Sequence, residues 1–149
     1  MLDIRRTEFS DFAPDIAPLL QANWTERHGG SPRYALAPNL DVYCEAEAAG
    51  HLFAVCARED GKLIGYAIVL AFPRPHSKDE LVGVLDALYV MPEHRSNGVA
   101  AKMLGATENV LREAGVKTMS AGANDPRIIR WLRMTGGYVY TETILEKVL

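Results

Sequence analysis

The spacing of apolar positions divides the first part of the chain into a strand and a helix. Leu2–Arg6 alternates apolar and polar residues, a pattern typical of a short strand. Over residues 12–24 the apolar positions recur at helical spacing, and Ser10 is the predicted N-cap. Pro14 suits a first helical turn, whereas Pro18 predicts a bend or a split into two helices.

The rest of the chain alternates between strand and helix patterns. The Asp60-Gly61 pair lies between two strand patterns and predicts a hairpin turn, whereas the polar residues 73–80 predict a loop. The remaining predicted elements are a helix capped by Asn39 and ended by Gly50, strands over residues 51–58, 63–72, 84–90 and 116–121, helices over residues 100–114 and 126–135, and two extended pieces within residues 138–149.

This order of elements predicts a mixed α/β layered domain. At 149 residues the chain is long enough to bury a sizeable core as one domain, residues 1–149. The pattern shows no internal repeat, linker or low-complexity segment.

Composition and charge argue against several classes of function. The chain carries 16 Lys and Arg against 19 Asp and Glu, so neither a nucleic-acid surface nor an anionic-membrane surface is expected. The longest apolar run, residues 66–73, is too short to span a bilayer, and the N-terminus lacks the apolar stretch of a signal peptide, so we expect a cytoplasmic protein. Cys44, Cys56 and the four histidines share no metal-ligand spacing, so no metal site is predicted and both thiols are expected to be buried and free.

One turn between a strand and a helix carries residues suited to binding an anion. Arg95, Gly98 and Ala100 form an Arg-x-x-Gly-x-Ala pattern soon after the strand over residues 84–90. The first N–H groups of a helix lack intrahelical partners and lie at the positive end of the helix dipole. Gly98 permits close approach of a phosphate, and Arg95 can add charge-assisted hydrogen bonds. The pattern suits a pyrophosphate, although a glycine here also occurs in simple turn chemistry.

With this strand, turn and helix, residues 85–115 resemble the acetyl-CoA-binding core of the GNAT N-acetyltransferase superfamily. The signature of that superfamily is Arg/Gln-x-x-Gly-x-Gly/Ala after a hydrophobic strand and a Pro-containing turn, and the order of elements over the whole chain also matches. The resemblance implies the GNAT fold, with a central, mostly antiparallel sheet of six to seven strands that is flanked by helices and splayed at the cofactor site. It also implies acetyl-CoA as the cosubstrate.

The resemblance further implies where acetyl-CoA binds. The backbone of Leu88, Tyr89 and Val90 would pair with the pantetheine arm, and Asn124 matches a position that often contacts the cofactor. The CoA nucleotide would lie over the helix that begins near Pro126. The pyrophosphate would be held by the backbone amides of Arg95, Ser96, Asn97, Gly98, Val99 and Ala100.

The implied reaction transfers an acetyl group from the thioester to a primary amine by direct attack in a ternary complex. A free alkyl amine has a pKa near ~10 and is mostly protonated at neutral pH, so a base must remove a proton. Asp86 is the candidate base because it is the only carboxylate in the apolar strand, and alternation places it on the same face as Leu88 and Val90. Alternatively, Asp86 lies at the exposed end of the strand or makes a structural hydrogen bond, and Glu80 and Glu45 are weaker candidates.

The chain departs from the superfamily pattern at the general acid. Many members carry a tyrosine in the last helix at a position where this chain has Arg133, and arginine is a poor proton donor because it stays protonated. Tyr89 and Tyr138 are the candidate acids, with protonation by solvent as the alternative. The second hypothesis is therefore a degenerate member that binds CoA or a protein partner and acts as a regulator.

The acceptor, a small-molecule or protein amine, is not identified by any motif in residues 21–51, where it would be recognised. A homodimer is left open. Arg127, Arg130 and Arg133 either contact the CoA phosphates or form a solvated helix face. Four aromatic residues either line the acceptor cleft or, the favoured interpretation for the two tryptophans, pack in the core: Trp24, Tyr34, Tyr43 and Trp131.

Overall fold

The computed structural model describes residues 1–29, 35–145 and 147. Its strands are β1 (Leu2–Arg6), β2 (Leu52–Glu59), β3 (Lys62–Arg74), β4 (Ser77–Val90) and β5 (Val116–Ala121). Its helices are α1 (Phe9–His28), α2 (Leu40–Ala48), a short 3₁₀ helix (Pro92–Asn97), α3 (Val99–Glu113) and α4 (Pro126–Gly136). Tyr34, a predicted cleft residue, lies outside the described residues.

The five strands form one sheet in the order β1-β2-β3-β4-β5. Neighbouring strands run antiparallel from β1 to β4, and β4 and β5 run parallel. The mixed, mostly antiparallel sheet is therefore confirmed, but the predicted count of six to seven strands is wrong for the described residues. The extended pieces predicted after α4 form no strand over residues 137–145 and 147, so they add no pairing to the sheet.

Helices cover both sides of the sheet. We call the side packed against α1 and α2 the α1 face; there Phe9, Phe12 and Ile16 of α1 pack on Tyr66 and Ile68 of β3. We call the opposite side, packed against α3, the α3 face. Its core residues from α3 are Val99, Met103 and Leu111, which pack on apolar side chains of all five strands. The described helices include none that is long and apolar enough to cross a membrane.

The first helix corrects two predictions. α1 continues through Pro14 and Pro18 as one 20-residue helix, so the predicted split does not occur. It begins at Phe9, and Ser10 lies within its first turn rather than at the N-cap. The carboxylate of Glu47, on α2, accepts hydrogen bonds from the N–H groups of Phe9 and Ser10. A side chain distant in sequence therefore satisfies the helix N-terminus, a contact that no local capping pattern reveals.

One of the two predicted connections between strands is confirmed and the other is wrong. Asp60 and Gly61 both have positive φ, 48° and 85°, as the predicted tight turn requires. The predicted loop over residues 73–80 is largely strand, because β3 continues to Arg74 and β4 begins at Ser77. This end of the hairpin extends beyond the core, so its side chains are polar although its backbone is paired.

The two cysteines differ in exposure. Cys56 is buried in β2, and burial raises the pKa of its thiol to about 11. Cys44, predicted to be buried, lies exposed on α2. α2 is a short helix with no fully buried residue, so the helical spacing of its apolar positions did not indicate a buried face.

Gly65 of β3 allows α3 to pack closely on the sheet. A Cβ atom at this position would lie 2.8 Å from the carbonyl oxygen of Tyr89 and 3.0 Å from the Sδ atom of Met103. We expect Gly65→Ala to lower the free energy of unfolding by about 1–3 kcal/mol, because backbone and helix must both shift. The matched change Gly105→Ala, where the new Cβ meets no atom within 4 Å, should raise it by about 0.5–1 kcal/mol. Urea unfolding of both variants measures the difference; equal stabilities would contradict this account of the packing.

Candidate active site

The sheet opens beside the second half of β4. Pairing between β4 and β5 runs from Leu81 with Val116 to Leu85 with Ala121 and then ends. Residues 87–90 of β4 pair with β3 on one side and with no strand on the other. We call the free edge of residues 86–90 the β4 opening. This edge is unpaired because β5 ends at Ala121, and the splay of the sheet stays a prediction.

Alternation along β4 determines which backbone groups face the β4 opening. The N–H of Met91 donates to the carbonyl of Ile64 in β3 at 2.9 Å. In an antiparallel pair every second residue bonds the same neighbour, so Tyr89 also directs its backbone groups toward β3, whereas Leu88 and Val90 direct theirs away. The carbonyl of Val90 accepts a hydrogen bond from Nε of Arg95 at 2.8 Å. The N–H groups of Leu88 and Val90 thus face the opening, while the backbone of Tyr89 pairs with β3.

The turn after β4 leaves helix donors free. Gly98 adopts a left-handed conformation with φ of 69° and is the N-cap of α3, without a side-chain cap. The N–H of Lys102 donates to the carbonyl of Gly98 at 3.0 Å. In an α-helix the N–H groups that precede this first bond have no intrahelical partner. Here they are the N–H groups of Val99, Ala100 and Ala101. A Cβ atom at Gly98 would meet nothing within 4 Å, so the space above these donors is open.

The backbone N–H groups of Arg95, Ser96 and Asn97, which are also predicted to bind the pyrophosphate, are not free in the same way as those of α3. Arg95, Ser96 and Asn97 belong to the 3₁₀ helix, in which N–H groups donate to the carbonyl three residues back. The bond from His94 to Met91, 2.9 Å, shows this spacing at the start of the helix. The donors that the fold leaves available therefore begin at α3 rather than at Arg95.

The side chain of Arg95 is held by the protein itself. Its two terminal nitrogens donate to the two carboxylate oxygens of Glu26 on α1, at 2.8 and 2.6 Å. Its guanidinium also lies over the ring of Tyr89, with its central carbon 5.4 Å from the ring centroid. These bonds lower the pKa of Glu26. Arg95 therefore links the turn to α1 and to the end of β4. Its guanidinium is already bonded to Glu26, so this arrangement does not support the predicted hydrogen bonds from Arg95 to a phosphate.

Glu26→Gln tests the ion pair. Both side chains are about half exposed, so we expect a loss of at most about 1 kcal/mol in the free energy of unfolding at neutral pH. Because the pKa of Glu26 is lowered in the folded state, its stabilisation is present above the unfolded-state pKa and is lost as the pH falls through the folded-state pKa. Urea unfolding should thus show the difference from wild type shrinking as the pH falls below 4.5, the ordinary pKa of a glutamate. A difference that stays constant over this range would assign it to another cause.

Asp86 lies at an irregularity in β4. Ala87 pairs with Ile68 and Leu85 pairs with Val69, so Asp86 is an extra residue without a partner in β3, a β-bulge. Because of that extra residue, Asp86 lies on the α1 face with Ala87, and the prediction that it shares a face with Leu88 and Val90 is wrong.

The surroundings of the Asp86 carboxylate leave one oxygen available. The hydroxyl of Tyr43, on α2, donates to Oδ2 at 2.8 Å, so part of the structural alternative is realised. Oδ1 accepts no hydrogen bond from any residue that the structure describes. The side chain is half-buried in the middle of a long strand rather than at its exposed end. Of the weaker candidates, Glu80 pairs with Arg74 at 3.3 Å, and Glu45 is exposed on α2.

Two further tyrosines lie on the α1 face near Asp86. The rings of Tyr66 and Tyr89 have centroids 6.2 Å apart. Burial raises the pKa of Tyr66 to about 12, with the charge of Asp86 acting in the same direction, and its hydroxyl accepts a hydrogen bond from Asn23 at 3.0 Å. Burial also raises the pKa of Tyr89, partly offset by Arg95. Both phenols hold their protons at neutral pH, and the structure brings the candidate base and Tyr89 to one face.

The sequence of the chain matches a known protein family. A sequence model of the Acetyltransferase (GNAT) family matches residues 13–136, most of the chain. The chain belongs to this family. Acetyl-CoA is the cosubstrate of this GNAT acetyltransferase. The residues present fit it, because the β4 opening offers a strand edge to an extended arm and α3 offers an uncapped N-terminus to a pyrophosphate.

Solved structures share the fold of this GNAT acetyltransferase. A predicted acetyltransferase from Clostridium acetobutylicum, solved with acetyl-CoA, is 21% identical with a TM-score of 0.76 over 99% of this chain and 96% of its own. An aminoglycoside acetyltransferase from an uncultured soil metagenomic sample, solved with sisomicin, is 15% identical with a TM-score of 0.77 over 99% and 96%. Ribosomal-protein-alanine N-acetyltransferase from Brucella melitensis biovar Abortus 2308 is 21% identical with a TM-score of 0.69 over 99% and 100%. A comparison with curated proteins returned no significant match.

Tyr138, the second candidate acid of this GNAT acetyltransferase, lies in a different layer. Its hydroxyl donates to Glu108 of α3 at 3.3 Å, and its ring lies against Gly136 at the end of α4. Burial, together with the charge of Glu108, raises its pKa. Asp86 contacts α2 on the opposite face, so the structure does not bring Tyr138 and Asp86 together.

The arginines of α4 have separate surroundings in this GNAT protein. Arg127 pairs with Asp125, the N-cap of α4, at 2.7 Å. Arg130 and Arg133 line a groove of about 790 Å³ between α4 and residues 137–140. Asn124 is exposed in the connection from β5 to α4. Among the residues that the structure describes, no cluster of three or more His, Cys, Asp or Glu side chains could hold a metal ion.

The residue that orients the motif arginine, Glu26, has no signal in the local sequence. Glu26 lies 69 positions before Arg95, within a helix that carries other exposed charged residues such as Asp11 and Arg27. No local pattern distinguishes Glu26 from its neighbours. Only the register of α1 against the sheet identifies it, and that register depends on tertiary packing.

Proposed function

We propose that the protein transfers an acetyl group from acetyl-CoA to a primary amine, by direct attack within a ternary complex. The observation that carries this proposal is the position of Asp86. Its carboxylate lies on the same short segment of β4 whose outward N–H groups, at Leu88 and Val90, face the opening of the sheet. This arrangement supports the proposal, because the candidate base, the outward N–H groups of β4 and the N–H groups of α3 all lie within residues 86–101.

Each group has a defined part in the proposed reaction. Acetyl-CoA supplies an activated acetyl group when it is bound. The N–H groups of Leu88 and Val90 hold the arm of the cosubstrate and orient its carbonyl, and those of Val99, Ala100 and Ala101 hold its pyrophosphate. Water does not deprotonate an alkyl amine efficiently at neutral pH, because the amine has a pKa near ~10.

Asp86 provides the proton acceptor. Oδ1 takes the proton from the incoming amine, directly or through one water, while the hydroxyl of Tyr43 fixes the carboxylate through Oδ2. Tyr89 is the favoured donor to the leaving thiolate because it shares a face with Asp86, with solvent as the alternative. We further propose that residues 1–149 form a single domain that acts in the cytoplasm.

We propose only that the acceptor carries a primary amine. The solved structures with this fold include an enzyme named for aminoglycosides and one named for an alanine of a ribosomal protein. Both names specify acetylation of an amine-bearing substrate. Their sequence identities to this chain are too low to carry either acceptor over.

Two assays test the proposal together. Acetyl-CoA at 100 times its dissociation constant should stabilise the protein by roughly 2.7 kcal/mol, seen as a rise in melting temperature. Thiol release from acetyl-CoA should then depend on an added amine, with the N-acetyl product identified by mass spectrometry. Stabilisation without turnover of any amine would favour the regulatory hypothesis. Absence of both would remove the proposed function.

A further inference from the structure

A second ion pair, besides that of Arg95, joins the 3₁₀ helix to the rest of the protein. Nδ1 of His94 lies 3.1 Å from Oε2 of Glu59, the last residue of β2. The other residues of the 3₁₀ helix are exposed, whereas only 22% of the His94 side chain is accessible. His94 is therefore a half-buried side chain in specific contact with another element, on a helix that is otherwise solvated.

Glu59 belongs to a part of the protein that is held independently of the 3₁₀ helix. Its neighbour Arg58 pairs with Asp15 of α1 at 2.8 Å. On the other side of Glu59, the N–H of Asp60 donates to the carbonyl of Met1 at 3.3 Å. The turn between β2 and β3 is thus joined both to α1 and to the N-terminus, so it offers a fixed support to the carboxylate that contacts the 3₁₀ helix.

The two ion pairs hold the 3₁₀ helix from different directions. A 3₁₀ helix has three residues per turn, so consecutive side chains project about 120° apart around its axis. Arg95 pairs with Glu26 of α1, and His94 pairs with Glu59 of β2. One contact alone would leave the helix free to rock about it. Two contacts with different elements fix its orientation.

The orientation of the 3₁₀ helix affects access to the free N–H groups of α3. Gly98 is both the C-cap of the 3₁₀ helix and the N-cap of α3. α3 is held by its own buried residues, among them Val99 and Met103, so rocking of the 3₁₀ helix would move residues 92–97 relative to those donors. In the present orientation a Cβ atom at Gly98 would meet nothing within 4 Å, so the 3₁₀ helix leaves the space above the donors clear.

We propose that Glu59 and His94 are positioning residues for the cosubstrate. Their ion pair holds the 3₁₀ helix in the orientation that keeps the N-terminus of α3 open to the pyrophosphate of acetyl-CoA. Neither side chain contacts the cosubstrate, and both act through the backbone that leads to Gly98. The inference rests on the proposed function, because it requires the pyrophosphate to bind at the N-terminus of α3.

Charge alone predicts the opposite effect of removing Glu59. A negative charge beside a turn that receives an anion repels that anion, so its loss would strengthen binding of acetyl-CoA. If Glu59 holds the 3₁₀ helix, the same loss weakens binding, because the helix then moves more freely. The sign of the change in affinity therefore distinguishes positioning from simple electrostatics.

The first experiment compares Glu59→Gln with Glu93→Gln. Glu93 lies on the same 3₁₀ helix, is exposed and forms no ion pair within the described part of the chain, so its variant removes an equal charge without removing a contact. Isothermal titration with acetyl-CoA is made at about pH 6, because the pair carries opposite charges only when the imidazole is protonated. We expect Glu59→Gln to raise the dissociation constant about threefold to fivefold, the range open to an exposed ion pair.

The outcomes of this comparison differ clearly. Glu93→Gln should leave the dissociation constant unchanged or lower it. Equal or tighter binding in Glu59→Gln would overturn the inference. A loss greater than about tenfold would also overturn it, because the effect of a positioning contact cannot exceed the free energy of the ion pair itself.

A double-mutant cycle tests whether Glu59 acts through His94. In a His94→Gln background, Glu59→Gln should cause no further weakening, because the pair is already broken. Losses that simply add would contradict action through this pair. In steady-state thiol release, Glu59→Gln should raise the KM for acetyl-CoA while kcat and the KM for the amine stay unchanged. A fall in kcat would contradict a role confined to cosubstrate binding.

Failure of this inference can be separated from failure of the proposed function. If wild type binds acetyl-CoA and Glu59→Gln binds it equally well, only the inference is wrong. If wild type does not bind acetyl-CoA, the proposed cosubstrate site is wrong as well. NMR of the free proteins adds a structural measurement: Glu59→Gln should shift the backbone amides of residues 94–98 more than those of residues 99–101. Amide shifts that are equal in both groups would contradict the role of the ion pair in holding the 3₁₀ helix.

Discussion

Asp86→Asn is expected to lower kcat for amine acetylation by at least about a hundredfold, while binding of acetyl-CoA stays within error of wild type. Loss of a positioned base costs about 10²–10⁴-fold, because the proton must then leave without a partner of suitable basicity. Asparagine has the same shape, and its amide oxygen can still accept the hydrogen bond from Tyr43. The change therefore removes the basic oxygen but keeps the half-buried geometry at the bulge.

Tyr43→Phe is the control for Asp86→Asn. It removes the bond to Oδ2, which is 2.8 Å long, but leaves the carboxylate in place. We expect a loss in kcat of only about tenfold, as for one positioning hydrogen bond worth roughly 1.4 kcal/mol. Steady-state thiol release, with acetyl-CoA and amine each varied, measures both variants. Unchanged turnover in Asp86→Asn would exclude Asp86 as the base, and equal losses in the two variants would reduce it to a structural residue.

Gly98→Asp is expected to weaken binding of acetyl-CoA by about ten- to a hundredfold. Aspartate is among the few side chains that tolerate the left-handed conformation at this position, where φ is 69°. Its negative charge would lie at the N-terminus of α3, where it is favourable for the free helix but repels a pyrophosphate from the same donors. The variant should therefore keep its stability to unfolding while losing affinity for the cosubstrate.

Gly98→Asn separates charge from shape. It has nearly the same volume and the same tolerance of positive φ as the aspartate variant, but it carries no charge. We expect its dissociation constant for acetyl-CoA to stay within about fivefold of wild type, a difference of roughly 1 kcal/mol. Isothermal titration with acetyl-CoA measures both. If the two variants bind equally well, the pyrophosphate does not lie at this helix terminus.

Several elements of the site follow from local sequence. Asn39 accepts a hydrogen bond from Val42 and caps α2 as its residue type indicates. Gly98 has the positive φ that a glycine before a helix suggests, and Asp60-Gly61 forms the turn that this dipeptide favours. These features are predictable because each depends on the conformational preferences of one or two residues. Of the three, Gly98 belongs to the turn and helix where we propose that the cosubstrate binds.

The acceptor side of the site depends on contacts that local sequence does not encode. One extra residue in β4 reverses the face on which Asp86 lies, and residues 84–90, which contain no glycine, give no sign of the bulge. Glu26 reaches Arg95, and Glu47 reaches the N-terminus of α1, across 69 and 38 positions. Such pairs arise only when helices pack on the sheet. Periodicity therefore predicts the elements but not the side chains that meet between them.

The most direct test of the account is a titration of the ¹⁵N-labelled protein, 16.4 kDa, with acetyl-CoA, followed by NMR of the backbone amides. We expect the largest shift changes at two separate groups of N–H donors, Leu88 with Val90 and Val99 to Ala101. The amides of Thr118 and Ser120, on the paired part of β5, should shift little. Changes confined to other surfaces, or none at saturating acetyl-CoA, would contradict the assignment of the β4 opening and the N-terminus of α3 as the cosubstrate site.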